Sequence, residues 1–160
     1  RMLGALVLAN FGSTETLTIA GRSIGPALAA RMAEDAAQRD SGSLIVVLAT
    51  DVLLDYRQLR RLALRAAAGV ARTGSTFGHG SGDIVVAFST AERVPHVTIG
   101  HVLTRRVLVE HELEPLFRAA ADATEQAILD ALFSATTVTG YSGHTRRALS
   151  DLAPDWATLE

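Results

Sequence analysis

Three short apolar runs, at residues 3–9, 44–49 and 84–89, constrain the fold of this 160-residue chain more than any other feature. Apolar runs of this length, closed by Gly, Ser, Thr or Asp, read as strands. Residues 44–49, with Ile and Val at the centre, suit a strand buried on both faces. Residues 15–20 alternate polar and apolar, so a strand paired with the first run is expected across the turn at Asn10–Ser13. Residues 94–109 read as one or two further extended segments. Helical patterns lie between these runs. Residues 26–37 are Ala-rich. Residues 56–71 place Leu59, Leu62, Ala66 and Val70 on one face, behind an N-cap at Asp55. Residues 112–133 bring Leu116, Ala120, Ala127, Ala131 and Leu132 to a face whose alanines permit close packing. The tail after Gly140 is polar and weakly patterned. Strands mixed with helices in this way specify one layered α/β or α+β domain over residues 1–160. A dinucleotide-binding reading lacks the G-x-G-x-x-G turn after the first strand.

Composition removes several chemistries. Hydrophobic residues make up 48% and charged residues 20%, which excludes a disordered chain. A net charge of -2 offers nothing to nucleic acid or an anionic membrane, and no apolar run approaches a membrane span. The expectation is a soluble protein, placed in the cytoplasm with the periplasm left open. There is no Cys and no Lys, so thiolate chemistry, a Schiff-base amine and a P-loop lysine are absent. The five histidines lack metal-binding spacing, so no metal and no cofactor is expected. The four arginines at 57, 60, 61 and 65 read as a solvated helix face ahead of a phosphate site. The chain opens on Arg1 and runs at once into a strand, which reads as part of a longer precursor.

Two segments combine glycine with groups able to do chemistry. Gly42 and Ser43 stand between a polar loop and an apolar strand. A Ser hydroxyl can attack the carbonyl before it, and hydrolysis of the resulting ester leaves a free amine beside the hydroxyl as local base and nucleophile. The same pair also suits an ordinary loop-to-strand junction. In the Gly-rich stretch 74–83, Ser81 and Asp83 flank Gly82 and point to the same side of an extended chain. A carboxylate so placed can polarise the hydroxyl, or it can simply cap a turn.

The segments Leu8-Ala-Asn-Phe-Gly12, Gly42-Ser-Leu-Ile-Val-Val-Leu-Ala-Thr-Asp51, Gly80-Ser-Gly-Asp-Ile84 and Ala87-Phe-Ser-Thr90 together resemble the self-processing aminopeptidases that include L-aminopeptidase/D-esterase and the β-peptidyl aminopeptidases. Glu114-Pro-Leu-Phe117, Ala123-Thr-Glu-Gln-Ala-Ile128 and Thr139-Gly140 extend the resemblance through the last helix. It implies an αββα sandwich, of which this chain is the C-terminal part, in a precursor that cuts itself between Gly42 and Ser43. Residues 1–42 would end the α chain and 43–160 would form the β chain. Ser43 then matches the nucleophile, Asn10 the oxyanion-stabilising amide, and Ser81 and Asp83 the assisting hydroxyl and carboxylate. The implied activity removes amino-terminal residues from short peptides, amides or esters, in a homo-oligomer of αβ units. Acyl transfer of the ornithine acetyltransferase type and a non-catalytic folded remnant are the alternatives. Val52 stands where the family commonly has Pro, and Ser13 and Thr14 where it often has Arg.

Overall fold

The computed structural model describes residues 1–32, 42–97 and 100–159. In chain order the strands and helices are β1 (Leu3–Asn10), β2 (Thr18–Ile19), β3 (Arg22–Ser23), α1 (Gly25–Arg31), β4 (Ser43–Thr50), α2 (Tyr56–Ala63), α3 (Ala66–Arg72), β5 (Gly82–Ser89), α4 (Glu114–Ser134), β6 (Val138–Thr139), β7 (Thr145–Arg146) and α5 (Leu149–Leu152). The three apolar runs form one sheet in the order β1-β4-β5. β4 is central, antiparallel to β1 and parallel to β5. The layered α/β class expected from the sequence is the one observed.

The pleat divides this sheet sharply. Leu44, Val46 and Leu48 of β4 are fully buried against α2, α3 and α4, with Leu62, Ala66, Val70, Leu116, Phe117 and Ala120. Residues of the opposite parity face outward. Leu8, Ile45 and Ile84 form one outward row, and Leu6, Val47 and Val86 the next. Leu6 and Leu8 leave 70% and 68% of their surface free. Within this chain helices cover one face of β4, and the other face is open.

Several expectations are corrected for local reasons. Residues 15–20 do not pair with β1. They form a tight turn at Thr14–Thr16 and then β2, which pairs with β3. The Leu17 carbonyl accepts from the Ile24 and Gly25 N–H groups, and Ile19 is buried beside Ile24 and Leu28 in a second cluster. Residues 56–71 make two helices. The Asp55 cap is present, with Asp55 accepting from the Gln58 N–H and Gln58 accepting in return from the Asp55 N–H. At Leu64 and Arg65 the chain tightens, the Arg65 N–H donating to the Leu62 carbonyl, and α3 starts after this turn. The extended segments expected in 94–109 contain no strand among the described residues. β5 is the edge of the sheet on that side, and Val94, Val97 and Val102 remain exposed. A β-branched residue favours a strand only where a neighbouring strand and a packing face exist. Of the helix expected at 26–37, α1 covers the first part, and residues 33–37 fall outside the described residues, as do 38–41 of the expected loop.

Charge is used locally. Arg57 and Arg61 both reach Glu110, and Arg61 and Arg65 stack over the Phe117 ring at 5.0 and 4.3 Å. The Arg57 guanidinium, with the Gln58 amide and Arg61 beside it, holds the Glu110 carboxyl down at about 2. These arginines are thus paired and stacked on the surface.

α3 and α4 meet through Gly69. A Cβ there would stand 2.3 Å from the Ala121 carbonyl oxygen and 2.8 Å from the Thr124 Cβ, both on the rigid body of α4. Ala improves helix propensity by up to about 1 kcal/mol, but forcing the helices apart costs about 1–3 kcal/mol. Gly69→Ala is expected to lower stability by about 1–2 kcal/mol in urea unfolding.

Candidate active site

The residues singled out by sequence gather at one end of the sheet. Asn10 closes β1, Ser43 opens β4 and Gly82 opens β5. The register pairs Asn10 with Ser43 and Ser43 with Gly82, so the three form a single row across the strands. Side chains in such a row share a face. Asn10 and Ser43 therefore lie on the open face, exposed, at the end of the apolar rows described above. A Cβ built on Gly82 would lie 3.4 Å from the Ser43 Oγ, which places that hydroxyl over the Gly82 Cα.

Gly42 sits against the end of β1 with almost no clearance. A Cβ there would come within 1.8 Å of the Asn10 carbonyl oxygen and 2.8 Å of its carbon. Any side chain would drive the strand ends apart. The Gly42 carbonyl oxygen in turn accepts from the Gly82 N–H at 3.2 Å. The bond between Gly42 and Ser43 is thus held from both sides, by β1 through close packing and by β5 through a hydrogen bond.

Ser81 and Asp83 are joined as the spacing of two suggests: the Ser81 hydroxyl donates to Asp83 Oδ1 at 2.8 Å. Asp83 is in register with Leu44, so it belongs to the helix-facing side of the sheet, where it is half-buried. The hydroxyl–carboxylate pair and the Ser43–Asn10 pair consequently occupy opposite faces at the same sheet end. Among the described residues no hydrogen bond links Ser43 to Ser81 or Asp83. Sequence spacing could place Ser81 beside Asp83. Their side relative to Ser43 depends on the β4–β5 register, which no local pattern encodes.

A cleft of about 920 Å³ opens beside Asn10, lined by Phe11, Glu15, Leu28, Ile128 and Leu132 among others. It reaches Asn10 and stops short of Ser43. No local signal marked its walls, because they come from β1, α1 and α4 together.

The first 146 residues match the model of peptidase family S58. The chain belongs to peptidase family S58. A β-peptidyl aminopeptidase BapA of Sphingosinicella microcystinivorans is 41% identical over 159 aligned positions, covering 92% of this chain and 40% of that protein. Among solved structures, the L-aminopeptidase D-Ala-esterase/amidase of Ochrobactrum anthropi, described as a prototype serine aminopeptidase and a variant of the Ntn hydrolase fold, superposes with a TM-score of 0.81 at 34% identity. That match covers 99% of this chain and 44% of the other. A Burkholderia sp. β-aminopeptidase gives 0.82 at 32% identity, covering 98% and 44%. The chain therefore spans about two fifths of the length of these relatives, and its fold is that of the S58 aminopeptidases.

The contact at Gly42 generates a direct test. Gly42→Ala is expected to lower stability by about 1–3 kcal/mol in urea unfolding. Equal stability would show that the strand ends can separate without penalty.

Proposed function

We propose that this chain is the nucleophile-bearing part of a self-cleaving serine aminopeptidase, cut between Gly42 and Ser43. The observation that carries the reading is the hydrogen bond from the Gly82 N–H to the Gly42 carbonyl oxygen, on a junction whose next residue is an exposed serine. In the cleavage step the Ser43 Oγ attacks the Gly42 carbonyl carbon, and that carbonyl oxygen takes up negative charge. A fixed backbone N–H already aimed at it stabilises the charge without reorganisation. The C–N bond then breaks as the hydroxyl proton passes to the departing Ser43 nitrogen, the acyl group rests as an ester on Ser43, and water releases a Gly42 carboxylate. Ser43 is left with a free α-amine and its hydroxyl.

The same groups serve the second reaction. The Ser43 amine takes the hydroxyl proton as Oγ attacks a substrate carbonyl, and returns it to the departing amine or alcohol. Asn10, one strand away on the same face, supplies an amide N–H to the tetrahedral oxyanion. Ser81 and Asp83 lie on the far side of the Gly82 backbone, and their role is to set the charge and the strand end on which Ser43 rests. The substrates are short peptides, amides or esters that lose their amino-terminal residue. This reading rests on family membership and on the geometry of one sheet end.

The open face gives the reading a second support. Rows of Leu, Ile, Val and Phe running away from Ser43 are an unusually apolar surface to leave in water. In the αββα arrangement a second sheet from the remainder of the protein covers them and walls the substrate site, and αβ units assemble into a homo-oligomer.

Full-length protein is expected to run as two pieces, with N-terminal sequencing of the C-terminal piece reading Ser-Leu-Ile-Val. Ser43→Ala should leave one uncut band without peptidase activity, and an active Ser43→Ala protein would refute the assignment. Asp83→Asn and Ser81→Ala should each reduce turnover by loosening the strand end under Ser43, and the double variant by little more than the worse single one. Unaltered kinetics in folded Asp83→Asn protein would reduce that pair to a turn.

A further inference from the structure

The tail that looks unpatterned in sequence packs onto residues from the other side of the proposed cut. Leu149 and Ala153, from α5 and its end, and Leu159 are buried against Ile19, Ile24 and Leu28. The Arg31 guanidinium meets the Asp155 carboxylate through two parallel hydrogen bonds, 2.6 and 2.8 Å. Arg22 donates to the carbonyl oxygens of Ala157 and Leu159, the latter at 3.0 Å. Trp156 packs on Phe133 with ring centroids 5.0 Å apart, which ties the tail to α4. The S58 match ends at residue 146, so every tail residue in these contacts lies beyond it.

We propose that residues 149–159 form a clamp that holds the end of the α chain, residues 17–32, once the bond between Gly42 and Ser43 is cut. The inference rests on the cleavage proposed above. Before the cut, residues 17–32 are tethered to β4 by the intervening chain, and a short tether keeps neighbouring surfaces at a high effective concentration. Cutting removes that tether. From then on, on the β-chain side, residues 17–32 are held by these contacts together with the Thr18 N–H donating to the Thr73 carbonyl at 3.1 Å, the packing of Leu129 and Leu132 on the same cluster, and the ladder of β1 on β4 upstream. The clamp combines a buried apolar patch, which supplies the bulk of the attraction, with a bidentate arginine–carboxylate pair that fixes orientation. Its ligand is a specific one: an apolar hairpin and helix bearing two arginines, both belonging to the α chain. By keeping α1 seated it keeps Asn10, at the end of the strand just upstream, in line with Ser43.

The test uses full-length cut protein, with the cut verified by mass spectrometry and retention of the α chain measured by native mass spectrometry on dilution at a fixed, sub-denaturing urea concentration. Asp155→Arg is expected to raise the α–β dissociation constant by up to about fivefold, the equilibrium equivalent of losing an exposed ion pair. Adding Arg31→Asp to that variant should restore it. A chain ending at Ala148 should lose the α chain further. Unchanged retention in both Asp155→Arg and the shortened chain would overturn the clamp. So would a weakened Asp155→Arg protein that Arg31→Asp fails to rescue, since the effect would then be one of general folding. A mass spectrum showing an uncut chain would overturn the cleavage itself, and the clamp with it.

Discussion

Everything proposed for this chain depends on the two ladders made by β4. With β1 on one edge and β5 on the other, β4 carries eight registered pairs on each side. A slip of one residue would turn Ser43 from the open face to the helix-facing side of the sheet. The register is held by the burial of Leu44, Val46 and Leu48, each of which would be exposed by that slip. Core packing thus sets the orientation of Ser43, the proposed nucleophile. Gly42 adds a steric lock at the start of the strand, and the Gly82 N–H adds a polar one.

The half-covered sheet explains the otherwise awkward surface. Helices α2, α3 and α4 satisfy one face, and Gly69, which has no side chain, lets α3 come close to α4 at Ala121 and Thr124. The opposite face has Asn10 and Ser43 at one end and aliphatic rows along its length. If the proposed second layer covers this face, the proposed catalytic pair at its border is shielded from water only when that layer is in place. Shielding strengthens each hydrogen bond aimed at developing charge. On the proposed function, the position of Ser43 couples assembly of the whole protein to reactivity.

Local patterns reveal much of this arrangement, and their failures share a cause. The strands at 3–9, 44–49 and 84–89, the Asp55 cap and the long helix after Leu113 follow from nearest-neighbour chemistry. So does the Ser81–Asp83 hydrogen bond, which needs only a period of two. Residues 15–20 mislead because Leu17 and Ile19 alternate like a strand while being buried by α1 and the C-terminal tail. The break at Leu64 and Arg65 is hidden because Leu62 and Ala66 keep helical spacing across it. Leu149, Ala153 and Leu159 give no signal, since isolated apolar residues acquire meaning only from a partner more than a hundred positions away. At Gly42 the residue type alone indicates a carbonyl open to attack, and the fold adds its contact with Asn10. Segment resemblance is enough to group Asn10, Ser43, Ser81 and Asp83. The division of those residues between two faces of the sheet emerges only from register.

The central claim is that Ser43 bears the acyl group. Cut full-length protein incubated with a slowly turned-over amino-acid ester, quenched in acid and mapped by peptide mass spectrometry, tests it most directly. One added aminoacyl mass is expected on the peptide that begins at Ser43, whether the group remains on Oγ or has moved to the adjacent amine. Continued turnover with that peptide unmodified, or with the acyl group on Ser81, would contradict it.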